Sequence, residues 1–89
     1  MTEPVDRPMS VVTLYGKPGC CLCDDARELV GLVRRDFPFE LREVDVSIDA
    51  GLHREYGERI PVLELDGEEL FELGVDPHEL RRRLGRVTT

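Results

Sequence analysis

The stretch YGKPGCCLCDDARELV, Tyr15–Val30, gathers every cysteine of an 89-residue chain into four positions: Cys20, Cys21 and Cys23, with Leu22 among them. It lies between an apolar run and a segment of helical pattern, so its reading decides the fold. The run ahead of it, VVTLY (Val11–Tyr15), is β-branched and apolar nearly throughout, as suits a strand buried on both faces. GKPG then breaks the chain. Beyond the cysteines, Cys23, Ala26, Val30, Val33 and Phe37 recur at steps of three and four, with Leu29 beside them. Asp24, Arg27, Glu28, Arg34 and Arg35 take the opposite face of this helix, and Pro38 ends it close to Asp36.

Working outward, FELREVDV (Phe39–Val46) alternates apolar and charged residues, giving a second strand with one wetter face. Ser47–Tyr56 reads as a short helix with Ile48, Leu52 and Tyr56 four apart. Ser47 or Asp49 could cap its start and Gly57 its end, against a propensity cost of about 1 kcal/mol at Gly51. IPVLELDGEELFEL (Ile60–Leu73) is a hairpin turning at Asp66-Gly67. In VDPHELRRRLG, Asp76 fits an N-cap, Pro77 the first helical position and Glu79 the partner of a capping box. Leu80 and Leu84 face inward there, and Gly85 closes the helix.

The order is therefore β-α-β-α-β-β-α, an α/β chain. A right-handed crossover makes the first two strands parallel neighbours, and the hairpin adds antiparallel pairing. The expectation is a mixed four-stranded sheet flanked by three helices, in one domain over residues 10–85. Residues 1–9 are expected to form a loose arm and residues 86–89 a short tail.

Charge narrows the function. Twelve basic against nineteen acidic residues leave −7, the wrong sign for a nucleic-acid partner. Arg81–Arg83 read as complementing a helix C-terminus rather than as a binding patch. No apolar stretch is long enough for a membrane span, and MTEPVDRPMS lacks the features of a secretory signal, so a cytoplasmic protein without membrane partners is expected. A monomer is expected too. Contiguous cysteines cannot staple distant loops; in a reducing compartment such a cluster points to redox or metal chemistry.

Cys20 falls at or just before the helix start, where unpaired N–H groups and the helix dipole favour an anion. That environment stabilises thiolate over thiol, and thiolate is the nucleophile. Cys23 falls one turn deeper, in register with Ala26 and Val30. Cys20 is thus the candidate nucleophile toward a substrate disulfide and Cys23 the resolving thiol, the two forming a redox-active disulfide. A Cys20–Cys21 bond would close a strained ring, so Cys21 is not given the resolving role. Lys17 adds positive charge close to Cys20, whereas Asp24 and Asp25 oppose it.

VVTLYGKPGCCLC, VDV at the end of the second strand, YGERIPVLELDG and the single closing helix together resemble the glutaredoxin family of the thioredoxin-like fold, from about Val11 to Leu84. The resemblance implies a dithiol–disulfide oxidoreductase serving cell redox homeostasis by reducing protein or glutathione mixed disulfides. It implies a cis bond before Pro61, packed beside the thiols, and substrate-facing backbone at Ile60. It implies a substrate-binding role for Gly74 and Asp76 in LGVD, and Lys17 joins that set. Glutaredoxins carry Pro-Tyr where this chain has Cys21-Leu22, and a Gly-Gly pair where it has one glycine. No bound cofactor is expected; electrons would come from glutathione, a thioredoxin-reductase-type enzyme or a dedicated partner. Two other readings stay open: a thiolate module for copper, zinc or an iron–sulfur cluster, and a redox-inert adaptor. His53 and His78 read as helix-surface residues, and no residue is assigned to a metal.

Overall fold

A computed structural model describes residues 10–87. Strand β1 (Val11–Gly16) leads into helix α1 (Cys21–Asp36), which returns through strand β2 (Glu40–Asp45). A 3-10 turn (Val46–Ile48) and helix α2 (Ala50–Tyr56) follow, then strands β3 (Val62–Leu65) and β4 (Glu68–Glu72), and finally helix α3 (Pro77–Val87). The sheet has the order β2-β1-β3-β4, with β1 parallel to β2 and the other pairs antiparallel. This is the expected mixed sheet with three helices.

The main core joins Val12 and Leu14 of β1 to Ala26, Val30 and Val33 of α1 and to Leu80 and Leu84 of α3. Both long helices therefore cover one face. The other face of β1 is only half-buried, contrary to the expectation from VVTLY. Alternate side chains turn to α2, but α2 has seven residues and covers only the Tyr15 end. An apolar run reports that both faces are dry enough for apolar side chains, not how far a helix extends over each.

Strand β2 departs from simple alternation for a related reason. Phe39 and Leu41 pack toward the main core, whereas Val46 belongs to the cluster around Cys23. Ile48, expected on an inward face, is 78% exposed, because the chain makes a 3-10 turn before α2 begins. Asp45 holds that turn through Ser47 N–H and Oγ, and Asp49 rather than Ser47 caps α2 through the N–H groups of Gly51 and Leu52.

The hairpin turns where expected, with positive φ at Asp66 (52°) and Gly67 (89°). Asp66 also accepts from the Val11 N–H at 2.8 Å and donates its own N–H to the Val11 carbonyl at 2.8 Å, fixing the turn to the start of β1. Asp76 caps α3 through the N–H groups of His78 and Glu79. The capping box is not completed: the Glu79 carboxylate accepts from Arg82 and Arg83 instead, which hold it below the usual carboxylate range. Gly85 does not stop the helix, which continues to Val87, so residues 86 and 87 belong to it rather than to a tail. The arginine run accordingly lies within α3 and pairs with carboxylates, Arg81 with Asp36 of α1 and Arg82 and Arg83 with Glu79. The expected arm, residues 1–9, lies outside the described residues. Among the described residues, no helix is long and apolar enough to cross a membrane.

Candidate active site

Cys20 is the N-cap of α1. Its backbone is extended, and its Sγ accepts the Cys23 N–H at 3.2 Å, replacing the side-chain oxygen that usually caps a helix. A hydrogen bond from an unpaired helix-end N–H favours negative charge on the accepting sulfur. One turn in, Cys23 is 1% exposed, packed with Val46 and Ile60. Burial pushes the Cys23 thiol up to about 11, helped by the neighbouring Cys20 sulfur; the Lys17 backbone and the Arg27 charge oppose this. Cys21 is exposed on the first turn. Among the described residues, no three His, Cys, Asp or Glu side chains converge as a metal-binding group.

The room for Cys23 comes from Gly16. A Cβ on Gly16 would stand 3.0 Å from Cys23 Sγ and 3.2 Å from its Cβ, closer than ordinary contact. Sequence reading treats this glycine as part of the loop break; it is the buried last residue of β1. Its spacing of seven residues before Cys23 carries no signal until β1 and α1 are packed together.

Ile60–Pro61 is cis, as the resemblance implies. Both residues are buried, and Ile60 shares a cluster with Cys23, against which Cys20 also packs. Arg59, missed in the sequence, secures this segment. Its N–H donates to Tyr56 and its carbonyl accepts from Leu73 N–H, while its guanidinium reaches Glu69 and Glu72 on β4 and lies over the Tyr56 ring. Behind it, Tyr15 and Tyr56 stack with ring centroids 4.2 Å apart, and both hydroxyls donate to Glu64. Burial, with Tyr56 and Glu64 adding to it, raises the Tyr15 phenol well above its ordinary value.

The remaining residues expected at the site are placed more loosely. The Lys17 side chain is exposed in the β1–α1 loop. Gly74 follows Leu73, itself exposed with φ 64°, and the Asp76 carboxylate is engaged as the α3 cap. The hydrogen bond from Leu73 to Arg59 ties this loop to the cis-proline segment. A cleft of about 290 Å³ opens on the β2 side of α1, lined by Gly16, Lys17, Cys23, Arg27, Glu43 and Asp45 among others.

Comparison with known proteins agrees with this fold. The chain is 34% identical over 82 residues to the uncharacterized protein Rv0508 of Mycobacterium tuberculosis, covering 86% of this chain and 84% of that one. It is 36% identical to the X-ray structure of target protein XcR50 from X. campestris, covering 84% of this chain and 96% of that one with a TM-score of 0.70. The solution structure of Ne2328 from Nitrosomonas europaea gives 25% identity, coverages of 93% and 98%, and a TM-score of 0.73. A thioredoxin variant from Halobacterium salinarum, 23% identical, shares the fold over 92% of this chain and 77% of its own, with a TM-score of 0.67. The profile of the glutaredoxin-like domain (DUF836) matches residues 11–85. With a thioredoxin-like fold and that match across nearly the whole domain, the chain belongs to the glutaredoxin-like family.

Proposed function

We propose that the protein is a thiol–disulfide oxidoreductase that reduces protein or glutathione mixed disulfides through Cys20 and Cys23. The observation that carries this reading is the pairing of a capping sulfur at the open end of α1 with a buried thiol one turn behind it. The Cys20 thiolate attacks one sulfur of the substrate, forming a mixed disulfide and releasing the first thiol as its thiolate, which takes a proton from water. Cys23 then loses its proton and attacks Cys20 Sγ. The Cys20–Cys23 bond forms, the mixed disulfide breaks, and the second thiol leaves; two electrons have passed from the dithiol to the substrate. A thiol or flavoprotein reductase donor restores the dithiol, with glutathione and a thioredoxin-reductase-type enzyme as the alternatives.

Ile60 packs with Cys23, and the cis Ile60–Pro61 segment is suited to present backbone to an extended substrate segment. Lys17, Gly74 and Asp76 complete the proposed substrate-binding set, and a cytoplasmic, monomeric protein acting in redox homeostasis fits this chemistry. The test is a turnover assay on a mixed disulfide, with glutathione plus glutathione reductase and thioredoxin reductase supplied side by side. Cys20→Ser should abolish turnover, and Cys23→Ser should accumulate a covalent mixed disulfide visible by mass spectrometry. Equal and modest losses from the two substitutions would overturn the assignment.

A further inference from the structure

The cleft on the β2 side of α1 contains none of the Ile60–Pro61 segment, yet Cys23 lines it. Cys23, although 1% exposed, therefore forms part of the wall of this cleft, apart from the end of α1 where Cys20 sits. Arg27 lines the same cleft. Contrary to its expected place on the opposite face, Arg27 follows Cys23 by four positions, which puts the two Cβ atoms about 5–6 Å apart at the edge of the buried face. Its guanidinium is held from two sides: Nε donates to Glu43 Oε1 of β2 at 2.7 Å, and Nη1 to Asp24 Oδ1 of α1 at 2.9 Å. The Glu43 contact ties the half-exposed Arg27 side chain to β2 across the cleft.

We propose that Arg27, oriented by Glu43, controls the second step of the disulfide exchange by stabilising negative charge on the resolving sulfur, Cys23. This rests on the dithiol reading above and assigns it a positioning residue. A thiol buried this thoroughly has to lose its proton before it can attack, and a cation beside it favours the ionised form. The direction agrees with the opposing influence of Arg27 on the raised Cys23 thiol. The other charged or titratable groups around Cys23 do not substitute for it. In the mixed disulfide Cys20 on α1 is uncharged, and Asp24 of α1 with Glu43 and Asp45 of β2 are acidic. Tyr15 of β1 and Tyr56 of α2 are neutral phenols turned to Glu64. Lys17 contributes its backbone, with its side chain exposed. The proton released by Cys23 passes to water in the cleft.

The experiment uses the full chain carrying Cys21→Ser, with Arg27 as found or changed to lysine, methionine or glutamate. Ellman's reagent forms a mixed disulfide at Cys20 and releases one thionitrobenzoate. Cys23 then attacks Cys20 Sγ, and a second thionitrobenzoate leaves as the intramolecular disulfide forms; stopped-flow absorbance follows both. Arg27→Met should slow the second release by about threefold near neutral pH and Arg27→Glu by about tenfold, with Arg27→Lys close to the parent. The pH dependence of that phase should move upward in the same charge order, and the spread should shrink in about 1 M salt, where screening reaches about 3 Å. The first release should change less than the second. A second phase insensitive to charge at this position, or ordered by side-chain size, would overturn the inference. If the parent itself gave no second release, the dithiol reading would fall, and the two failures are thereby distinguished.

Discussion

Gly16→Ala is expected to disturb the buried thiol more than the strand that carries the substitution. The added methyl would stand 3.0 Å from Cys23 Sγ and 3.2 Å from its Cβ. Contacts this short are rare in folded proteins, so β1 or the start of α1 has to yield by a few tenths of an ångström. Cys23 packs against Val46 and Ile60, which limits its movement on that side. Overpacking of this kind costs about 1–3 kcal/mol. In a domain of this size that lowers the melting temperature by about 5–20 °C. Thermal unfolding of the reduced protein measures it, and repeating the substitution in a Cys23→Ala background separates the contact from any effect on strand propensity. Without the sulfur the nearest clash is gone, so the cost should fall by roughly half or more, a coupling expected only of groups in contact. The same cost in both backgrounds, or none in either, would refute the close-approach argument.

Three further perturbations probe other parts of the structure. Because the folded Cys23 thiol sits at about 11 against an ordinary 9.0, its contribution to stability is whole below about pH 9 and is lost as pH rises toward 11. Urea unfolding at about pH 8 and about pH 10.5 should show a larger loss in the parent than in Cys23→Ala, which retains only losses of the same sign from groups such as Tyr15. Equal losses would show that the buried thiol is not linked to folding. Asp76→Ala should lower stability by about 1 kcal/mol by removing the α3 cap, whereas Asp76→Asn, an equally good cap, should retain it. Matching losses in the two denaturation curves would deny the cap its role. Tyr15→Phe leaves Glu64 with the Tyr56 hydroxyl alone and should cost about 0.5–1.5 kcal/mol by the same measurement. An unchanged midpoint would mean that water replaces the lost donor without penalty.

Local chemistry made much of this fold legible. Asp66-Gly67 announced its turn because few residue pairs accept positive φ at both positions. Asp49 and Asp76 announced helix starts because a carboxylate can satisfy free N–H groups two and three residues on. The difference in burial between the capping Cys20 and the deeper Cys23 followed from their places relative to the start of α1. Features that failed or went unseen depend on which elements become neighbours. Glycine is a common helix stop, but at Gly85 the chain remains helical, with an added Cβ meeting only the Phe37 ring at ordinary distance. Glu79 had both a cap and two arginines within reach, and charge pairing won. Arg27 finds Glu43 sixteen residues away and Tyr15 finds Glu64 forty-nine away, contacts that exist only once β1 lies between β2 and β3.

The strand order has one more consequence. With β1 and β3 in the interior, the sheet ends in β2 and β4, whose residues include Glu40, Arg42, Glu43, Glu68, Glu69 and Glu72. An exposed strand is a template on which another copy can grow, and charged side chains are a common guard against it. Two copies aligning along β4 would bring rows of carboxylates together, so self-assembly by strand addition is opposed at the margin where unpaired backbone would otherwise invite it.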